Sequence, residues 1–342
     1  MGLVNRWGLS LGVSPREPLT NVPALAALGE ALGFEALWYI DFQLGMKDVY
    51  AAMYLAAQAT SRMEIGSAVT NLQTRHPTVT ANATAALDEL SGGRALLGLG
   101  AGWSAVLGAG YQPARMPQIR AGIAEFRRLF TGEEQELYGT TVKLATARRQ
   151  VPIYLAASQP GMLRLAGEVC DGLILLGAAD PDFCRWQLDY VYQGLERAGR
   201  DRGDLTIDLF VTMSVDLDEA KARADVAAWA TAQAATFESW KTMPPSWERF
   251  RPQFAAARGG YELVEHLSLH AGHKAVVTDE FISAIAVPGP VELCAERLRA
   301  LATLDVDRLT FPILSGGRER RMREIAETII PLVGEPAATV RG

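Results

Sequence analysis

Short apolar runs rich in branched residues alternate with longer stretches of helical period along nearly the whole chain. The run Trp7 to Val13 is followed by helical spacing from Val22 to Leu32, which stops at Gly33. Glu35 to Asp41 reads as a second strand with its helix over Val49 to Ala59. Met63 to Thr70 reads as a third, with a helix from His76 to Leu90 that ends at Gly92 and Gly93. Arg94 to Gly100, Val151 to Ala157 and Gly172 to Leu176 continue the strand series. The helices Gln118 to Leu129, Met162 to Val169 and Phe183 to Ala198 stand between or after them. Leu205 to Val215 is the seventh strand, and Arg308 to Leu314 the eighth, before a helix from Arg318 to Leu332. Strands separated by helices pair in parallel through right-handed crossovers. About eight such units in 342 residues favour a closed (β/α)8 TIM barrel of the α/β class, built as a single domain over 1–342.

One stretch breaks this rhythm. From Asp216 to about Asp307 the chain makes a long excursion between strands seven and eight, with a helix from Pro290 to Leu301 near its end. Its middle, Thr236 to Val287, carries Trp240, Pro244, Pro245, Trp247 and three of the four histidines. A long insertion on an α/β unit is usually grafted over the site, so residues 236–287 read as an inserted, lid-like helical region.

Composition narrows the function classes. A net charge of −6 argues against nucleic acid, whose binders present a basic face. The N-terminus lacks the pattern of a signal peptide, and no segment approaches the roughly 18 apolar residues of a membrane helix. Cys170, Cys184 and Cys294 are scattered without a CxxC spacing and read as buried free thiols. The expectation is a cytoplasmic protein that binds neither nucleic acid nor membrane.

The chemistry of a barrel sits at the C-terminal ends of its strands. There the sequence offers Asp41, then Ser67-Ala68-Val69-Thr70-Asn71, Gly100-Ala101-Gly102-Trp103, and Ala157-Ser158-Gln159-Pro160-Gly161. This inventory has one carboxylate, some hydroxyls and amides, and no Ser-His-Asp set, Cys-His pair or acidic metal cluster. A site so poor in acid–base groups suits chemistry carried by a bound cofactor. In the run from Ala156 to Gly167, small residues lead straight into a helix whose free N–H groups favour an anion such as phosphate; a tight strand-to-helix turn is the alternative. Gly100 to Ala105 imitates a GxGxxA dinucleotide fingerprint, but no clear helix begins before about Gln118 and no acidic strand end follows at the usual distance. His266 and His270 have zinc-like spacing with His273 beyond, yet Gly272 interrupts the helix, and no metal is expected.

Several of these passages, in order, resemble one family. They are Ile65 to Asn71 with Thr74-Arg75-His76-Pro77, Asp88 to Arg94 with the LLGLGAG that follows, and Leu155-Ala-Ala-Ser with Leu165-Ala-Gly and Asp171-Gly172. The sequence is similar to the luciferase-like barrel enzymes. Asp41, Asp48-Val-Tyr50, VTN and TRHP resemble the deazaflavin-dependent branch, nearest to the methylenetetrahydromethanopterin reductases. The resemblance spans residues 5 to about 180 and returns from Gly289 to Leu332.

It implies a coenzyme F420-dependent oxidoreductase, often a homodimer. Hydride would pass between deazaflavin C5 and a small organic substrate, such as a methanopterin- or folate-like one. It further implies a bulged third strand with a non-prolyl cis peptide at Ser67-Ala68, ring contacts at Asp41, Thr70 and Ala101, and phosphate contacts at Ser158, Gln159 and Gly161. Departures leave the proton donor unassigned. Trp103 stands where some relatives have an acid, Phe42 where others have a histidine, and Gly8-Leu-Ser10 where the reductase has a glutamate. The alternatives are an FMN-dependent two-component monooxygenase and, in another class, a non-catalytic flavin-binding protein.

Overall fold

The computed structural model describes residues 3–259, 277–313 and 317–334. The elements follow in chain order as β1 (Trp7–Leu11), α1 (Val22–Ala31), β2 (Ala36–Tyr39), α2 (Val49–Ala59), β3 (Glu64–Ser67), α3 (Pro77–Ser91), β4 (Ala95–Leu99), α4 (Ser104–Leu107) and α5 (Met116–Leu129). A hairpin of β5 (Gln135–Leu137) and β6 (Thr140–Val142) precedes β7 (Ile153–Ala157), α6 (Pro160–Val169), β8 (Gly172–Leu175), α7 (Pro181–Ala198), β9 (Thr206–Phe210) and β10 (Met213–Val215). Then come α8 (Glu219–Phe237), α9 (Arg251–Gly259), α10 (Asp279–Ile285), β11 (Val287–Gly289), α11 (Val291–Ala302), β12 (Arg308–Ile313), α12 (Arg318–Arg323) and α13 (Ile330–Gly334).

Eight of these strands close a parallel barrel in the order β1-β12-β9-β8-β7-β4-β3-β2. Alternation along each strand divides its side chains. Leu37, Ile65, Leu97, Leu155, Leu173, Leu209 and Leu309 join the large core shared with the helices. Trp38, Leu96, Tyr154 and Ile174 fill the inside, with Ala68, Val69, Ala156 and Phe210 packed on them.

The interior also holds charge. Asp208 and Arg308 are both fully buried and paired at 2.8 Å. The same Asp208 oxygen accepts the Trp38 indole N–H at 2.8 Å, and Arg308 reaches Glu64 at 2.7 Å. Burying two charges is tolerable because each has the other as partner.

Several expectations need correction. The seventh strand is not continuous over Leu205 to Val215. It stops at Phe210, and β10 pairs in parallel with β11 outside the barrel, Met213 opposite Val287. This short ribbon joins the two ends of the excursion at its base. Within the excursion α8 begins at Glu219, where Asp218 caps it by accepting from Ala220 and Lys221 N–H, and Val287 is strand. A helix also begins earlier than expected after the GAGW turn, at Ser104, but it runs only to Leu107. The β5–β6 hairpin was not foreseen at all.

The excursion has its own core. Phe237, Trp240, Trp247, Phe250, Phe254 and Phe281 pack with Phe183 of α7. The rings of Phe183 and Trp247 lie 4.1 Å apart between centroids. Trp247 also donates its indole N–H to Asp180 at 2.8 Å, so the excursion is fastened to the loop after β8. His266, His270 and His273 lie outside the described residues.

Candidate active site at the strand ends

The third strand carries the feature that shapes the site. Gly66 stands opposite Leu96, but Thr70 stands opposite Leu99, so this strand spends one residue more than β4 over the same span. That is a bulge. A non-prolyl cis bond falls within it at Ala68-Val69, not at Ser67-Ala68 as expected. The reason lies in the ladder: Ser67 still keeps register with Tyr39, and Ala68 N–H still donates to Tyr39 O at 2.7 Å. Regular pairing resumes with Thr70 N–H to Gly98 O at 2.9 Å. The irregularity is left to the bond between these two anchors. Gly98 is needed here because a Cβ on it would sit 1.8 Å from Ser67 O.

Of the residues singled out in this strand, Ala68 is partly exposed, as is Val69 beside it. Ser67 is buried, and its hydroxyl donates to Gly98 O at 2.9 Å within the bulge. Thr70 is fully buried and donates to Asp41 Oδ2 at 2.7 Å. Asp41 lies two residues beyond the end of β2 and is 5% exposed. Arg75 grips it with both terminal nitrogens, Nη1 to Oδ2 at 2.5 Å and Nη2 to Oδ1 at 3.2 Å. Burial works against the Arg75 charge, but the Asp41 carboxylate outweighs it and holds the guanidinium above its ordinary value. Arg75 also lies 3.7 Å from Asp48 and 5.3 Å over the Tyr50 ring.

Sequence reasoning missed the role of Arg75, although the residue stood in a quoted motif. The available signal was a lone buried carboxylate, which demands a cation or several donors. Asn71 was also passed over. It is buried, and its Oδ1 accepts from the backbone N–H groups of Gln73 and Thr74 at 2.9 Å each, turning the chain so that Arg75 comes back to Asp41.

Ala101 is partly exposed and fixed by its carbonyl, which accepts from Ala114 N–H at 2.8 Å. Trp103 next to it is covered by Arg258 of α9 at 5.5 Å, so the excursion reaches the loop after β4. Around the barrel, Gln159 is exposed and makes no side-chain cap on α6. Pro160 has no N–H to satisfy, and the helix starts with its end open to an acceptor. Ser158 is fixed through its carbonyl, which accepts from the buried Gln187 amide at 3.0 Å. Gly161 faces open space, since a Cβ there would meet only Met116 Sδ at 3.4 Å. A recess of about 410 Å³ beside the excursion, lined by Asp180, Glu280, Ser283 and Arg297 among others, shares no residue with this cluster. Among the described residues no group of His, Cys, Asp or Glu is arranged to hold a metal ion. No helix among them is long and apolar enough to cross a membrane.

Residues 1–308 match the family described as luciferase-like monooxygenase. The chain is 30% identical over 324 residues to 5,10-methylenetetrahydromethanopterin reductase from Methanolobus tindarius, covering 92% of this chain and 97% of that one. It is 30% identical over 226 residues to an F420-dependent glucose-6-phosphate dehydrogenase from Kineococcus radiotolerans, covering 60% and 67%. In fold it resembles the F420-dependent tetrahydromethanopterin reductase of Methanopyrus kandleri, with a TM-score of 0.77 at 22% identity over 97% of this chain and 99% of that one. An F420-dependent secondary alcohol dehydrogenase solved with an F420-acetone adduct gives 0.76 at 19% identity, covering 98% and 100%.

Proposed function

This chain belongs to the luciferase-like monooxygenase family, and we propose that within it the protein is a coenzyme F420-dependent oxidoreductase acting on a small organic substrate. The observation that carries this reading is similarity along nearly the whole chain to 5,10-methylenetetrahydromethanopterin reductase, 30% over 324 residues, alongside similarity to F420-dependent glucose-6-phosphate dehydrogenase. The residues present fit such a coenzyme. At one side of the barrel mouth, α6 opens without a side-chain cap and Gly161 leaves room for close approach, which suits a phosphodiester. At the other, the partly exposed bulge residues Ala68 and Val69 pack on the apolar cluster of Trp38, Tyr154 and Ile174, which suits a flat ring.

When bound, the deazaflavin supplies C5 as the carbon that gives or takes hydride. The protein's part is to bind and align. Ser158, Gln159 and Gly161 hold the phosphate. Ser67, Ala68 and Ala101 shape the ring's bed through the backbone, and Asp41, supported by Thr70, meets the ring edge. Asp41 is already committed to Arg75, so no side chain in this cluster is a free acid. Hydride acceptance then needs either a donor from the excursion or a substrate that requires none. Residues of the excursion act as the lid, Arg258 over Trp103 being its contact with the rim. The substrate is small and pterin- or folate-like, and the enzyme works as a cytoplasmic homodimer.

The test is an anaerobic titration with coenzyme F420 and with FMN. Expected are tight, saturable binding of F420, weak binding of FMN, and a reduced coenzyme that stays reduced in air until an organic acceptor is added. Preferential FMN binding with oxygen consumption by the reduced form would instead make the protein a flavin monooxygenase.

A further inference from the structure

The carboxylate of Asp41 is almost filled with donors. A carboxylate offers about four acceptor positions. Oδ2 takes two donors, Thr70 Oγ1 at 2.7 Å and Arg75 Nη1 at 2.5 Å, while Oδ1 takes Arg75 Nη2 at 3.2 Å. That leaves one position, on Oδ1.

Thr70 is fixed by the barrel ladder, and Arg75 is held against the start of α2. Thr70 is held in the ladder on both sides of its peptide, its N–H donating to Gly98 O and its carbonyl accepting from Gly100 N–H, each at 2.9 Å. Arg75 is braced by Asp48 and the face of Tyr50. A two-nitrogen fork on a carboxylate fixes the plane of the acceptor, which a single ammonium does not. The carboxylate therefore cannot turn to offer a second oxygen without giving up the fork.

We infer that Arg75 is a positioning residue of the strand-end site: it fixes Asp41 so that the one open lone pair of Oδ1 accepts a hydrogen bond from an N–H or O–H group of the bound coenzyme. An anionic ring edge is rejected at this point, since it would face a carboxylate with no donor left to offer. The inference rests on the function proposed above and adds to it what fixes Asp41 and which kind of group it takes.

The experiment measures F420 affinity by equilibrium titration, with thermal melts alongside, for Arg75→Lys, Arg75→Met, Asp41→Ala and the double variant Asp41→Ala/Arg75→Met. Arg75→Lys keeps the charge and loses the fork, and F420 binding is expected to weaken about tenfold. Arg75→Met weakens it at least as much. In the double variant the losses do not add, so that Arg75→Met costs no more than about twofold once Asp41 is gone. A purely structural Arg75 gives normal affinity below the melting temperature with a lowered melt, or losses that add in the double variant, and either result overturns the inference. If Asp41→Ala weakens binding while both Arg75 variants bind normally, the inference falls and the proposed function stands. If Asp41→Ala also binds normally, the placement of the ring falls with it. Should Arg75→Met fail to fold, Asp41→Asn/Arg75→Met removes the buried charge together with its partner. That variant is expected to bind as weakly as Asp41→Ala, and normal affinity in it overturns the inference.

Discussion

Replacing Asp208 by Asn tests whether the charge inside the barrel is needed to hold the floor of the site. Asp208 is fully buried, and one of its oxygens accepts both the Trp38 indole N–H and Arg308 Nε, each at 2.8 Å. Arg308 is also fully buried, and its other partner, Glu64, is a third exposed and so a weaker counterion. Removing one member of a buried pair costs about 3–5 kcal/mol, because the remaining charge is left without compensation. Glu64 stays in place and Asn can still accept one of the two bonds, which puts Asp208→Asn at the lower end, about 3 kcal/mol. Spread over the unfolding entropy of a chain this long, that is a fall in Tm of about 4 °C.

The assay is urea unfolding followed by circular dichroism, comparing midpoints at unchanged slope. The double variant Asp208→Leu/Arg308→Met removes both charges and is expected to recover a large part of the loss, since apolar replacement of a buried pair is often neutral. A loss below about 1 kcal/mol in Asp208→Asn, or a double variant worse than the single, would refute the reasoning. F420 affinity of the same variant reads the consequence for the site, because Ala68 and Val69 rest on the cluster that Trp38 anchors.

Gly161→Val adds a side chain where only Met116 Sδ stands nearby, so the melting temperature is expected to hold while F420 affinity falls about tenfold in a titration; unchanged affinity assigns the turn to packing alone. Cys170, Cys184 and Cys294 are buried, and burial pushes each thiol up to about 12. None should react with a thiol reagent at pH 8 in the native chain, and all three should react in denaturant; a fast native phase contradicts this. Glu30 accepts backbone N–H bonds from Ser61, Arg62 and Met63 at the entry to β3. Burial pushes its carboxyl up, but these bonds outweigh it and bring the value down to about 2 from the usual 4.5. A depressed folded value contributes stability that is complete above pH 4.5 and lost as pH falls toward 2. Solvent screening limits it to about 1 kcal/mol. Wild type should therefore lose more Tm than Glu30→Gln across that window, and parallel losses would refute the assignment.

The barrel was legible because its signal is local. Each strand shows its apolar run and each helix its period, and the eight units lie in order along the chain. The bulge was legible only through resemblance, and its cis bond came out one residue late. Its place is set by which N–H groups of β3 find carbonyls on β2 and β4, and that register is a property of three strands together.

Asp41 could be marked from its own neighbours, as a lone carboxylate after Leu37-Trp38-Tyr39-Ile40. Arg75 could not, because the turn made by Asn71 brings it back across 34 residues. Trp38, Asp208 and Arg308 are farther apart still. Asp208 within Thr206–Phe210 looks like a flaw in a strand until alternation places it on the inner face, where a charge is acceptable only if Arg308 is opposite.

The excursion shows the limit of such reading most clearly. Its core includes Phe183, which belongs to α7, a helix of the barrel and not of the excursion. A sequence can show that Phe237, Trp240 and Trp247 must be buried. It cannot show that they are buried against the helix after β8, and that attachment is what brings Arg258 of α9 to Trp103 at the rim of the site.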